Sequence, residues 1–260
     1  MSGNNKRQFI EERHAAILKL VREHGRVTVA NLCERYSVSV ATIRADLVEL
    51  EKFGKIQRTH GGAIPIVKGG PPVPFGTRRK LYGTEKRAIS KAAAALVKDG
   101  EVIFIDGGTT APEMAHFLGD RKNITVITPS VEVASWLHSA SLVNVYLLNG
   151  FLNRDSLSVI GLPSEDFLRQ TNISKAYCGA AGFTVRDGLT DVDMGFIEQK
   201  RVIIKHARQV IGLFDHTKIG VASLASFASI DEIDTIITDR RLPEDMTDEL
   251  AQHQIEVVVA

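Results

Sequence analysis

The chain has only two cysteines, Cys33 and Cys178. Two thiols so far apart exclude a disulfide framework and a four-ligand zinc site, and they read as reduced core residues. No run of about 18 apolar residues is present to span a bilayer, and the polar residues 1–12 lack the apolar core of a secretory signal. A cytoplasmic protein without a membrane partner is therefore expected. The GK[ST] end of a Walker loop and the GxGxxG dinucleotide fingerprint are also missing. His116, His138 and His206 stand at no metal-ligand spacing, so neither a cofactor nor a metal is expected.

Net charge is almost absent too: 32 Lys/Arg against 31 Asp/Glu leave +1. The balance is uneven, however, with 12 basic and 7 acidic residues in 1–68 against 20 and 24 in 69–260. Such an asymmetry suits an N-terminal module for a polyanion, although ordinary solvated surfaces also carry an excess of this size. Apolar residues are plentiful, 44% of 260 residues, enough for two cores. Residues 67–80, VKGGPPVPFGTRRK, concentrate Gly and Pro and then bases, the composition of a linker. The expected division is a DNA-binding domain over 1–67, a linker over 68–80 and a ligand-binding domain over 81–260.

Within the first part, Ile10, Ile17, Leu18 and Val21 recur at helical spacing until Gly25. The stretch 27–54 then divides into a short helix over 29–36, a turn at 37–38 and a longer helix beginning at Ser39, whose hydroxyl suits an N-cap. Ile43, Leu47 and Leu50 make one apolar stripe, and Ala41, Arg44, Ala45 and Val48 face the other way. Small residues let a helix approach base edges, Arg44 suits guanine or phosphate, and Thr42 suits phosphate. A helix-turn-helix over about 28–53 is expected, followed by a two-stranded wing over about 55–66 carrying Arg58, Thr59 and His60 beside Gly61 and Gly62. A plain three-helix bundle has the same periodicity.

The second part alternates apolar runs (101–106, 124–128, 143–150, 175–182, 209–214, 234–238, 255–259) with amphipathic stretches (85–97, 111–118, 131–138, 195–207). That alternation predicts an α/β, Rossmann-like domain with a mostly parallel sheet and helices on its faces. After the first run, Gly107, Gly108, Thr109 and Thr110 form a turn at a helix start, where backbone N–H groups and hydroxyls suit a phosphate. Such turns also serve merely to join a strand to a helix. Thr128 and Ser130, flanking Pro129, and Asn149 and Gly150 also follow apolar runs, so a parallel sheet gathers them at its carboxyl edge. Glu198 and Lys200 are expected as an exposed helical ion pair, and Arg78, Arg79 and Lys80 as solvated linker residues.

Arg13, Ile17, Val21, Ser39, Thr42, Ile43, Arg44, Asp46 and Leu47 stand at the spacing of the DeoR-family signature, and RTHGGA at 58–63 resembles that family's wing. The family often has a second basic residue where this chain has Ala45. The resemblance continues through Arg78, Lys86, Asp106 to Thr110, 128–130, 149–150, Ser158, Gly161, 188–190 and 215–218, with Pro129 in place of a frequent Asn and Asn149 in place of a frequent Gly. It implies a sensor similar to ribose-5-phosphate isomerases, in which Asp106 and its turn hold sugar hydroxyls or phosphate and Lys218 neutralises negative charge. It also implies a repressor of a carbohydrate operon, with operator DNA and a sugar-phosphate effector as partners, and a homodimer or homotetramer to read paired half-sites. Asp46 is expected to pair with a basic side chain. Two alternatives stand beside this reading. One is a sugar-phosphate isomerase using Asp106, Asp191, Asp193 or Glu198 as base and Lys218 as cation; the other is a DNA-organising protein with a structural C-terminal domain. No catalytic residue is assigned.

Overall fold

A computed structural model describes residues 2–24, 27–52, 55–59, 61–65 and 75–260. The chain forms two compact units, Met1–Val73 and Pro74–Ala260. In the first, helices Ser2–His24, Val29–Tyr36 and Val40–Lys52 join a three-stranded sheet in which Gly62–Pro65 lies between Val27–Thr28 and Ile56–Thr59. One core, built on Ile17, Val21, Leu32, Ile43, Leu47, Leu50 and Ile56, ties helices to sheet. Its helical members recur three and four residues apart, so each helix buries one stripe. Ser37 adopts a left-handed backbone (φ 52°) and ends the second helix, which sets up the turn into the third.

The second unit is built on seven parallel strands in the order Glu256–Val259, Thr235–Thr238, Val210–Leu213, Lys175–Gly179, Val102–Ile105, Ile124–Thr128 and Val143–Leu147. Each corresponds to one apolar run in the sequence. Side chains alternate across the sheet: Ile103 and Ile105 pack with Ile89, Met114 and Val133 on one face, and Phe104 packs with Leu168, Ile197, Ile203 and Leu250 on the other. Both faces are thereby covered, as a parallel sheet requires. The stretch 111–118 forms a 3-10 helix, Ala111–Phe117, rather than an α-helix.

The chain winds outward from Val102–Ile105 to the edge at Val143–Leu147, then returns to place Lys175–Gly179 on the other side of Val102–Ile105. The order reverses between those two strands, and the loops that leave a reversal point part and open a crevice at the carboxyl edge. Two smaller antiparallel elements flank the main sheet: a hairpin of Phe151–Asn153 with Ser158–Ile160, and a sheet of Gly182–Thr184, Gly188–Asp191 and Ala225–Ala228. Residues 68–74 of the expected linker lie outside the described residues. Its end, Phe75–Lys80, is a helix of the second unit and not a solvated tether. No helix among the described residues is long and apolar enough to cross a membrane.

Candidate nucleic-acid interface and effector site

In the first unit, the third helix is fixed from its start. Ser39 Oγ accepts the Thr42 backbone N–H at 3.1 Å and lies 2.9 Å from Thr42 Oγ1, so both hydroxyls are engaged in capping. Ile43, Leu47 and Leu50 are buried, whereas Ala41, Arg44, Ala45 and Val48 are exposed. Asp46, on the buried side, takes a fork from Arg13 (Nε to Oδ2 2.6 Å, NH2 to Oδ1 2.9 Å) and lies 3.1 Å from His14 Nε2. This two-point clamp locks the first helix to the third and fixes which face the third helix presents.

The wing is anchored as well. Gly62 passes so close to the Val27 carbonyl that a Cβ would lie 1.8 Å from its oxygen, so only glycine allows the pairing of Val27–Thr28 with Gly62–Pro65. Gly61 is exposed at the hairpin tip, in open space. Arg58 is exposed but tethered, with Nε donating to Glu51 at 2.6 Å and its backbone N–H to the same carboxylate at 2.9 Å. Thr59 ends its strand. His60 lies outside the described residues.

In the second unit, Asp106 sits at the switch point. It follows Val102–Ile105, and its carboxylate accepts Gly107 N–H at 2.7 Å and, across the reversal, Gly179 N–H at 3.0 Å. Lys200 completes the cluster, with Nζ 2.7 Å from Asp106 and 2.5 Å from Asp191, donating also to the Gly179 carbonyl at 2.8 Å. The expectation of an exposed Glu198–Lys200 pair is thus corrected. Only 3% of Lys200 is exposed, and Glu198 turns outward to Arg201. Burial opposes the lysine's charge, but the two carboxylates outweigh it and raise its pKa. Asp106, 2% exposed, thus receives three donors from both sides of the reversal.

The turn above it has two different requirements for glycine. A Cβ on Gly107 would lie 2.6 Å from Ser158 Oγ, while Gly108 needs a left-handed backbone (φ 88°) and faces open space. Thr109 is half-buried and Thr110 buried, its side chain capping nothing while its carbonyl accepts from Ser90 at 2.7 Å. Thr128 and Ser130 are brought beside this turn but are spent internally: Thr128 Oγ1 donates to the Ile105 carbonyl at 2.7 Å, and Ser130 Oγ caps the helix Val131–Leu137. Asn149 and Gly150 follow the edge strand Val143–Leu147. Both are exposed and lean on the backbone of Ile160 and Gly161, while Ser158 occupies the place against Gly107.

Cations collect around the same edge. Lys218 is half-buried, and burial lowers its pKa against the pull of Asp215. Lys86 is buried, donates to the carbonyls of Arg78 and Leu81, and is pushed down to about 8 by burial, with Lys218 and Arg78 adding to the effect. Arg78 is not a solvated linker residue: its Nε is buried without an acceptor among the described residues. Arg79 pairs with Glu132 at 2.5 Å. Spacing alone does not tell which face is covered and so places neither Lys200 nor Arg78, although the family match at Arg78 and Lys86 is a signal. As for the remaining acids, Asp191 is held by Lys200, and Asp193 caps the helix Met194–Ile204. No group of three or more potential ligands for a metal is present among the described residues.

An exposed, capped recognition helix with a wing, joined in one chain to an α/β unit with a braced crevice, defines a DNA-binding transcription regulator with a sensor domain. Residues 13–68 match the DeoR-like helix-turn-helix domain and residues 82–240 the DeoR C-terminal sensor domain. The chain belongs to the DeoR family of transcriptional regulators. It is 34% identical to the HTH-type transcriptional regulator GolR of Listeria innocua, over 90% of this chain and 92% of that one. It is 31% identical to the glycerol-3-phosphate regulon repressor of Escherichia coli, over 95% and 97%. Among solved structures it is similar to ribose 5-phosphate isomerase A from Methanocaldococcus jannaschii, with 22% identity, coverage of 52% and 53%, and a TM-score of 0.37.

Proposed function

We propose that this regulator is a cytoplasmic repressor of a sugar or polyol operon, released from or locked onto its operator by a phosphorylated sugar, polyol or sugar acid. The observation that carries the effector class is that Lys86, Lys218 and Arg78 lie within electrostatic reach of one another in the sensor unit, with Arg78 Nε buried and without an acceptor among the described residues. Three cations sharing a partly buried edge repel one another, and an anion relieves that repulsion. Gly107, Gly108, Thr109 and Thr110 supply backbone and hydroxyl donors to the same anion, Lys218 its counter-charge, and Asp106, Thr128 and Ser130 hold the loops in place. Asn149 and Gly150 close the edge of the site.

Operator DNA is read by Ala41, Thr42, Arg44 and Ala45 on the helix capped by Ser39, with Arg58, Thr59, His60, Gly61 and Gly62 of the wing at the backbone or minor groove. Exposed apolar side chains on the edge strand and hairpin, among them Tyr146, Leu147 and Phe151, the last 87% exposed, support assembly as a homodimer or homotetramer. Isomerase activity is disfavoured because Asp106 and Asp191 both neutralise Lys200, and Asp193 and Glu198 are engaged elsewhere. The test is fluorescence anisotropy of DNA from upstream of the protein's own gene, at fixed salt, with a panel of sugar and polyol phosphates. A specific complex shifted by one phosphate ester is expected; a specific complex indifferent to all of them refutes the effector class.

A further inference from the structure

We propose that the edge strand Val143–Leu147 pairs antiparallel with the same strand of a second copy of this chain, joining two sensor sheets into one across a two-fold axis near Val145. The inference rests on the oligomeric reading above and adds to it the surface and the mode of contact. The strand is the last of its sheet, next to Ile124–Thr128. Leu148 donates its N–H to the Thr128 carbonyl, and the Leu142 carbonyl accepts from Asn123, each at 2.9 Å. Backbone groups alternate in direction along a strand, so the even-numbered residues bond inward while Val145 and Leu147 direct N–H and C=O outward. Those outward groups have no backbone partner among the described residues, whereas the Val143 N–H is taken by the Ala140 carbonyl at 3.1 Å.

The strand carries none of the charges, prolines or register breaks that keep edges single. The opposite edge, Glu256–Val259, opens on an exposed acid. Residues 133–153 hold no Asp, Glu, Lys or Arg, in a chain of which 24% is charged. Within that stretch Leu142, Tyr146, Leu147, Phe151 and Leu152 are all more than two-fifths exposed. They leave on the order of 500 Å² of apolar side chain open, more than half of the ~800 Å² that each partner gives a standard interface.

A second copy fits this surface better than another partner. A two-fold interface sets a patch against itself, so a charged patch repels its copy and an uncharged one does not. Antiparallel pairing also brings the Leu147 and Phe151 end of one strand beside the Leu142 end of the other, so each exposed apolar end covers its counterpart. The hairpin that carries Phe151 and Leu152 is presented firmly: Val159 N–H donates to the Pro129 carbonyl at 2.8 Å, and Val131 N–H to the Leu157 carbonyl at 2.9 Å. A surface fixed in advance loses little freedom on docking.

The test is sedimentation velocity of the full-length protein and its Val145→Pro and Phe151→Lys variants, with circular dichroism to check folding. Proline at 145 removes an outward N–H and spares the bonds to Ile124–Thr128. Lysine at 151 replaces a side chain that is 87% exposed, so the fold stays intact. Each change is expected to raise the dissociation constant of the parent assembly at least tenfold. Hydrogen exchange should show the Val145 and Leu147 amides protected in the assembled parent and unprotected on dilution to monomer. A folded Phe151→Lys variant that assembles like the parent, or Val145 and Leu147 amides that exchange freely in the assembled protein, overturns the edge pairing alone. A parent that is monomeric at every concentration removes the oligomeric reading and this inference with it.

Discussion

The two units handle charge in opposite ways. In the first, Arg44 projects from a rigid helix into solvent, and the buried charges, Arg13 and Asp46, are paired to set that helix. In the second, Lys86, Lys200 and Asp106 lie below the surface, and two of these three neutralise each other. The contrast fits the two ligands proposed above. DNA is a large polyanion that reaches exposed side chains and releases its counterions there, so its reader needs only correct presentation. A small anion must be taken out of water, so the site that receives it has to bury compensating charge in advance and brace it.

The comparison is sharpest at the braces. Lys200→Met leaves Asp106 and Asp191 facing each other without their shared cation, and breaking a buried pair in this way costs about 3–5 kcal/mol. The thermal transition of the second unit should fall sharply while an isolated melt of the first is unmoved. A small effect would mean that the cluster is solvated and the contrast between units is wrong. Next in size, Arg44→Ala should cost about 1–3 kcal/mol per half-site in specific operator affinity. Stabilisation by effector should stay intact, read by anisotropy and thermal shift on the same preparation. Specific binding that survives this change removes the recognition-helix assignment.

Smaller still is the expected loss from replacing the hydroxyls of the turn. Thr109→Val with Thr110→Val should weaken a phosphate ester about tenfold, consistent with losing one or two hydrogen bonds of about 1 kcal/mol each. Its unphosphorylated counterpart should be nearly unaffected. Equal weakening of both in a calorimetric titration would move the phosphate away from the turn. The smallest expected effect is a pH dependence set by Lys86, whose surroundings are Asp215 and Glu113 on the favourable side and Lys218 and Arg78 on the unfavourable. With its pKa lowered to about 8, the ligand-free unit carries the cost of a buried charge below pH 8. That cost is relieved as pH rises toward the ordinary lysine range, so stability should increase there. An anion favours the charged form, so effector affinity should instead decline as pH rises through 8. Affinity that is flat from pH 7 to 9.5 would place the anion away from Lys86.

Legibility differed along the same line. All seven strands of the parallel sheet are visible as apolar runs, the central ones because a strand buried on both faces is apolar throughout and the two half-exposed edge strands because β-branched and aromatic residues dominate them. The recognition helix was visible because its cap, stripe and exposed face are all local. The hairpin at 151–160 and the small sheet carrying Asp191 are not, because their short strands mix polar residues and glycine with apolar ones (FLN, GFT, GLTD) and form no continuous apolar run. The helix Phe75–Lys80 was hidden by its Gly/Pro-rich approach, and Lys200 by its helical spacing from Glu198, which describes a solvated pair equally well.

The sequence by itself determined the strands of the main sheet, the helices of the first unit, the division into two units and the family the residues match, because caps, periodicity and motif spacing act over a few neighbouring residues. Only the tertiary structure decided that Asp106 is buried against Lys200, that Lys200 itself is buried, and that Arg78 Nε has no acceptor among the described residues. Those properties depend on groups brought together across the sheet's reversal from distant parts of the chain, and on how much water the packing excludes around them.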